Sequence, residues 1–127
     1  MASNKTVILG PLNLTNVTTT NIWSPPTLTG GTGVPPTSTN SFYLIRHVRI
    51  VNTDTTARTF TLYKDATGGN TSGKQIIGSG YSVAANSSFD WFGSLRLSAG
   101  ETDKFIVGGA SVTNVMTIQA EAEMGIE

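Results

Sequence analysis

The sequence predicts an all-β fold, a single antiparallel β-sandwich or jelly roll of roughly eight strands, and three observations carry that prediction. From Met116 to Ile126 the even positions read Met, Ile, Ala, Ala, Met, Ile, while Thr117, Gln119, Glu121 and Glu123 fill odd ones. Only an extended strand repeats its side-chain direction every second residue, so this segment has one apolar face and one acidic, wet face. No segment keeps helical periodicity beyond two turns. Short alternating or β-branched runs recur instead between Gly, Pro, Asn and Asp clusters, the composition of strands separated by turns.

Taken in order, residues 5–9 form a short apolar stretch that Gly10-Pro11 ends. Residues 1–15 read as an N-terminal arm and 16–127 as the sandwich domain. Residues 16–23, rich in Thr and Val, predict a strand stopped by Ser24-Pro25-Pro26. The uncharged stretch 24–41 has two Pro-Pro pairs around a Gly-rich middle, long for a connection in a compact domain, so it is expected to be functional or mobile. Residues 42–52 and 57–64 are the next strands, with 52–56 read as a hairpin connection between them. Shorter strands are expected at 75–77, 81–84, 88–92, 95–97 and 104–107. Residues 66–74 read as a flexible hairpin tip, 98–101 as a turn, and Gly108-Gly109-Ala110 as a break before the final strand.

The alternation also predicts the core. Phe60 and Leu62 point one way and Thr59, Thr61 and Tyr63 the other; Phe89 and Trp91 share a face opposite Asp90 and Phe92. Phe105 and Val107 are expected to join Met116, Ile118 and Ile126 inside. Each fully buried large apolar side chain contributes about 1.5–3 kcal/mol, enough for this set to hold a small domain. Residues 42–51 are less regular: Phe42, Leu44, Val48 and Ile50 share one face with Arg46, while Tyr43, Ile45, His47, Arg49 and Val51 share the other. A strand apolar on both faces is covered on both, by another layer, the Pro-rich loop or a neighbouring subunit.

Composition narrows the function classes. At 127 residues the chain suits one domain with a real core. It has no cysteine, which excludes disulfide scaffolds, thiol catalysis and cysteine-based metal sites. Eight basic and eight acidic residues are scattered rather than clustered, so no basic stripe exists to neutralise phosphates and no nucleic-acid partner is expected. No apolar run approaches the 18 or so residues of a membrane span, and the first residues, with one lysine and an apolar stretch of three, are far too short in apolar length for a signal peptide. The single histidine, His47, lies between Arg46 and Arg49 with no sign of a triad, and reads as filler or a surface aromatic. Glu121 and Glu123 read as solvated residues, and Asp54, Asp65 and Asp103 as turn residues bonding their own backbone. The Gly clusters lack a phosphate-loop context. No catalytic residue, metal or cofactor is expected. Trp23, Phe42, Tyr43, Tyr63, Tyr81 and Phe92 offer rings that stack on sugars when exposed, or, for Trp23 and Phe42, anchors for the ends of the Pro-rich loop.

From Asn16 onward the chain resembles small β-sandwich virion proteins of tailed bacteriophages. The resemblance lies in Ile45-Arg46-His47-Val48-Arg49-Ile50-Val51-Asn52-Thr53, then Thr59-Phe60-Thr61-Leu62-Tyr63, then Ser98-Ala99-Gly100-Glu101, and a long alternating strand at the end. It covers about four-fifths of the chain by order and type of strands. It implies a non-enzymatic head decoration protein on the capsid exterior of a virion assembled in the host cytoplasm. Its partners would be the major capsid protein of a phage head and further copies of itself, in a homotrimer. A tail or tail-tip component and a carbohydrate-binding β-sandwich module are the alternatives. Under the decoration reading, candidate partner-binding residues are Lys5, Val7 and Leu9 in the arm, which would add a strand to a neighbour, with Trp23, Pro25, Pro26, Tyr43, His47 and Arg49.

Overall fold

The computed structural model describes residues 5–26 and 41–126, with side chains to 125, and those residues form eight strands and no helix. The strands are β1 (Lys5–Asn13), β2 (Asn21–Trp23), β3 (Ser41–Asn52), β4 (Arg58–Asp65), β5 (Gln75–Val83), β6 (Ser87–Ser98), β7 (Phe105–Ala110) and β8 (Met116–Ile126). They build two four-stranded antiparallel sheets ordered β1-β8-β3-β6 and β2-β7-β4-β5. Only β4 and β5 are both consecutive in the chain and paired; every other connection crosses between the sheets. This interleaving is the strand order of a jelly roll. The protein is an all-β sandwich, as the alternation predicts.

The order corrects one expected hairpin. Residues 52–56 carry the chain from the first sheet to the second, because β3 pairs with β6 and β8 while β4 pairs with β5 and β7. Asn52 holds this crossing. Its buried amide donates to the Thr56 and Val83 carbonyls, each at 3.0 Å, and its Oδ1 accepts the Asp54 N–H at 3.0 Å. A buried amide bonded on both ends fixes a chain path that apolar packing alone would leave free.

Three other boundaries move. β1 continues through Gly10-Pro11 to Asn13, with a register shift between Leu9 and Leu12. It is an edge strand, where a proline's missing N–H leaves no ladder bond unmade. The expected strand 16–23 shrinks to Asn21–Trp23. Thr15 and Thr20 still accept from the Ala110 and Gly108 N–H groups of β7, but between them the chain arches outward. The Thr20 hydroxyl and N–H both donate to the Val17 carbonyl, at 2.7 and 3.2 Å. These local bonds offer the backbone an alternative to the ladder and override Thr and Val strand preference. Gly108-Gly109-Ala110 do not break the chain; they close β7. A Cβ on Gly108 would strike the Thr61 carbonyl, and one on Gly109 the Thr15 carbonyl beneath the arch. Elsewhere the short runs merge, 75–77 with 81–84 in β5 and 88–92 with 95–97 in β6.

The core lies between the sheets. Ile45, Val48, Ile50, Leu97, Met116, Ile118, Ala120 and Ala122 meet Trp23, Phe60, Leu62, Val83, Ile106 and Ala110, with Leu14 at one end. Four even positions of β8 are thus buried, Met124 is half-buried, and the Ile126 side chain lies outside the described residues. In β7, Ile106 enters this cluster in place of the expected Phe105 and Val107; Phe105 is half-buried, and Val107 is fully buried outside it. The 66–74 tip is tied to a buried carboxylate: Asp65 accepts from the Ala66 and Thr71 N–H groups and from Lys74, which also bonds Asp103.

β3 explains its own mixed pattern. Ile45 pairs with Leu95 and Ala122, and His47 with Phe92 and Glu121, so Arg46 is an extra residue against β8 and sits opposite Gly93 and Ser94. The bulge shifts the alternation by one. Tyr43 and Ile45 point inward before it, Val48 and Ile50 after it. Both apolar sets of the sequence therefore serve one core.

Candidate docking face

The same bulge decides what the first sheet shows on its outer side. The register places Ile8 of β1, Glu121 of β8, His47 of β3 and Phe92 of β6 in one row across four strands. On one side lies the row Thr6, Glu123, Leu44, Arg96; on the other Gln119, Arg49, Asp90. Both ends of the central row are apolar and exposed, Ile8 at 54% and Phe92 at 73%. Strands about 4.8 Å apart put them about 14 Å from each other.

Charge is arranged in stripes between those ends. β3 carries Arg46 and Arg49 on either side of His47; β8 carries Glu121 and Glu123. Asp90 on β6 accepts from His47 Nε2 at 2.7 Å and from Arg49 Nε at 2.8 Å through one oxygen. Arg49 first and His47 second hold the Asp90 carboxyl below its ordinary range. The His47 ring stacks on Phe92, centroids 4.5 Å apart and planes within 11°. Arg46 donates to Glu123 at 2.9 Å. Glu121 takes part in no ion pair among the described residues and borders a shallow cleft of about 80 Å³ with Ile8, His47, Arg49, Gln119 and Ala120.

The sequence-derived candidates distribute unevenly. His47 and Arg49 lie at the centre of this face. Lys5, Val7 and Leu9 belong to β1, paired along β8, with Val7 and Leu9 packed against the core and Lys5 exposed. Tyr43 also turns inward against the core. Trp23 and Pro25 are buried and Pro26 half-buried, away from this row. The Pro26 carbonyl accepts the Ser41 hydroxyl at 2.7 Å, so the ends of the Pro-rich segment meet; its residues 27–40 lie outside the described residues. The Arg96 guanidinium lies 4.0 Å over the buried Phe42 ring. Trp23 and Phe42 are therefore unavailable as sugar-stacking platforms. Asp90 and Ile8 escaped the sequence reading as site residues, and Phe92 entered it only as a ring for sugars, since only the pairing of distant strands brings them to His47.

His47 with Asp90 is a base held by an acid, two parts of a hydrolytic triad. Among the described residues no hydroxyl bonds the ring, and its flat side is occupied by Phe92. A nucleophile needs the ring nitrogen opposite the acid. The pair orients an aromatic on a surface. Among the described residues no group of His, Asp and Glu side chains is arranged to hold a metal ion.

No family model matches the sequence, and no curated protein sequence matches it. In shape the chain is similar to the protein of T=1 particles derived from infectious bursal virus, with TM-score 0.47 and 10% identity over 99% of this chain and 32% of that one. It is similar to the extra small virus particle of the giant freshwater prawn Macrobrachium rosenbergii (TM-score 0.46, 10% identity, 98% of this chain and 79% of that one). The tobacco streak virus coat protein is a further likeness (0.41, 12%, 98% and 85%). The chain spans about a third of the length of the first of these.

Proposed function

We propose that this protein is a non-enzymatic structural component of a virus particle, working through protein–protein contacts. The observation that carries the binding role is the Ile8–Glu121–His47–Phe92 row, where two large exposed apolar side chains flank ordered charges. Such a mixed patch is the anatomy of a protein interface, apolar anchors set among oriented polar groups. The virion setting is supported by the likeness of the strand series from Asn16 onward to tailed-phage proteins, and by the jelly-roll strand order, an architecture used by capsid domains. Fold of itself does not define function.

Within that class the particular reading is a head decoration protein on the capsid exterior, bound to the major capsid protein, with a tail component second. A self-associated form belongs to this reading, with the trimer at a capsid three-fold as the form the phage resemblance implies. Immunogold labelling of purified particles with antibody to this protein tests it. Gold on the head is the expected result, and gold on the tail moves the assignment to the second reading. Particles free of the protein overturn the proposal.

A further inference from the structure

The outer face of the β1-β8-β3-β6 sheet is complementary to itself. A two-fold axis lying in the plane of an interface, parallel to the strands and midway between β8 and β3, reverses the order of each row. Ile8 then faces Phe92 of the second copy, and Glu121 faces its His47. One row along, Glu123 faces the Leu44 of the second copy, and Gln119 faces its Arg49. Beside that Leu44 lies the same copy's Arg46 guanidinium, which reaches over the row to its own Glu123. Acidic β8 lies against basic β3 twice, once on each side of the axis. The shallow cleft beside Ile8 lies where the ring of the opposite Phe92 arrives, so the face holds both a projection and its recess.

The alternative axis, along the row, would set Glu121 against Glu121 and Phe92 against Phe92, and like charges disfavour it. The favoured axis keeps the strands of the two sheets close to aligned, the usual geometry when sheets pack face to face.

From these placements we infer that the protein forms an isologous dimer through this face. The unpaired Glu121 carboxylate, the Arg46–Glu123 pair and the two exposed apolar ends are its contacts. A self-complementary patch of this kind closes at two copies, so the inference replaces the trimer as the form of the isolated protein. The face measures roughly 19 Å by 30 Å from strand spacing and rise. That lies toward the small end of specific interfaces, so the dimer should dissociate in the micromolar range.

Sedimentation equilibrium of the full-length protein across micromolar concentrations provides the test. The wild type is expected to pass from monomer to dimer. Phe92→Ser removes a side chain that is mostly in solvent and should weaken the dimer at least about tenfold with circular dichroism and Tm unchanged. Arg46→Glu and Glu123→Arg should each give monomers, because each sets two like charges together across the axis. Mixed in equal amounts, the two should dimerise again, since in the mixed pair every 46–123 contact regains opposite charges. A role confined to the fold of one chain gives no recovery on mixing. Monomer at every concentration, a trimer, or absence of recovery overturns the inference. Particle labelling reports the virion reading separately, so either can fail alone.

Discussion

The two sheets of this sandwich share one core but treat their outer faces in opposite ways. Over the β2-β7-β4-β5 sheet, the chain covers itself with an arch whose own Val17 stays in solvent. The arch at 15–20 lies over Gly109, Val107 is fully buried, and the hydroxyls of that face are committed locally. Thr61 Oγ1 accepts the Gly80 N–H at 2.8 Å, and Ser111 Oγ accepts the Thr59 N–H at 3.2 Å. Over the β1-β8-β3-β6 sheet, Ile8, Phe92 and a set of oriented charges face outward. An outer face whose polar groups satisfy one another adds stability. A face that leaves apolar ends and a spare carboxylate open is built for contact, which is why the self-docking inference concerns one sheet only.

The sharpest way to break this contrast is to lift the arch. Gly109→Val places side-chain atoms where the Thr15 and Val17 carbonyls lie, and those are backbone atoms that cannot step aside. The expected loss is on the order of 4 kcal/mol or more in urea unfolding, the largest effect of any change named here. A small loss would mean that the arch is not packed on that face.

Next come the two acids that titrate low. Asp65 is held far below the usual carboxylate range, first by the Thr71 hydroxyl and then by the Thr71 and Ala66 N–H groups. A depressed folded value means stabilisation that is complete above the unfolded carboxylate value and lost as pH falls through the folded one. The wild type should therefore lose Tm progressively below about pH 4. Asp65→Asn should lower Tm by several degrees at neutral pH and flatten that acid slope. Asp90 is lowered by Arg49 and His47 on the open face, so Asp90→Asn should leave Tm nearly unchanged at neutral pH while weakening self-association. Equal Tm losses for the two variants would erase the distinction between a carboxylate spent inside the fold and one displayed. The smallest effect expected is from Thr61→Val, about 1 kcal/mol for the lost acceptor, with self-association untouched.

What was readable in the sequence follows from where the causes lie. β8 was legible from end to end because burial of one face writes itself as alternation along contiguous residues. Phe60 and Leu62 were legible for the same reason. β3 was not, because its change of parity depends on Gly93 and Ser94, nearly fifty positions away. Residues 16–20 failed because two bonds to one carbonyl outweigh the strand preference of Thr and Val. The pairing order was hidden, since every pairing except β4 with β5 joins strands distant in the chain. His47 and Arg49 were picked out from one strand, but the acid, the ring and the apolar end that give them meaning arrive from β6 and β1.

Arg46 has a consequence for how this gene tolerates change. Loss of that one codon would set Ile45 next to His47, as Ala122 stands next to Glu121, and plain alternation would keep Tyr43, Ile45, Val48 and Ile50 on the inner side. The cost would fall on β6, where Gly93 and Ser94 would have no residue opposite them, and on the lost Arg46–Glu123 bond. Changes of length should therefore be admissible in the connections between strands and at this one position, whereas a three-nucleotide deletion elsewhere in the strand would turn the residues on one side of the gap to the opposite face.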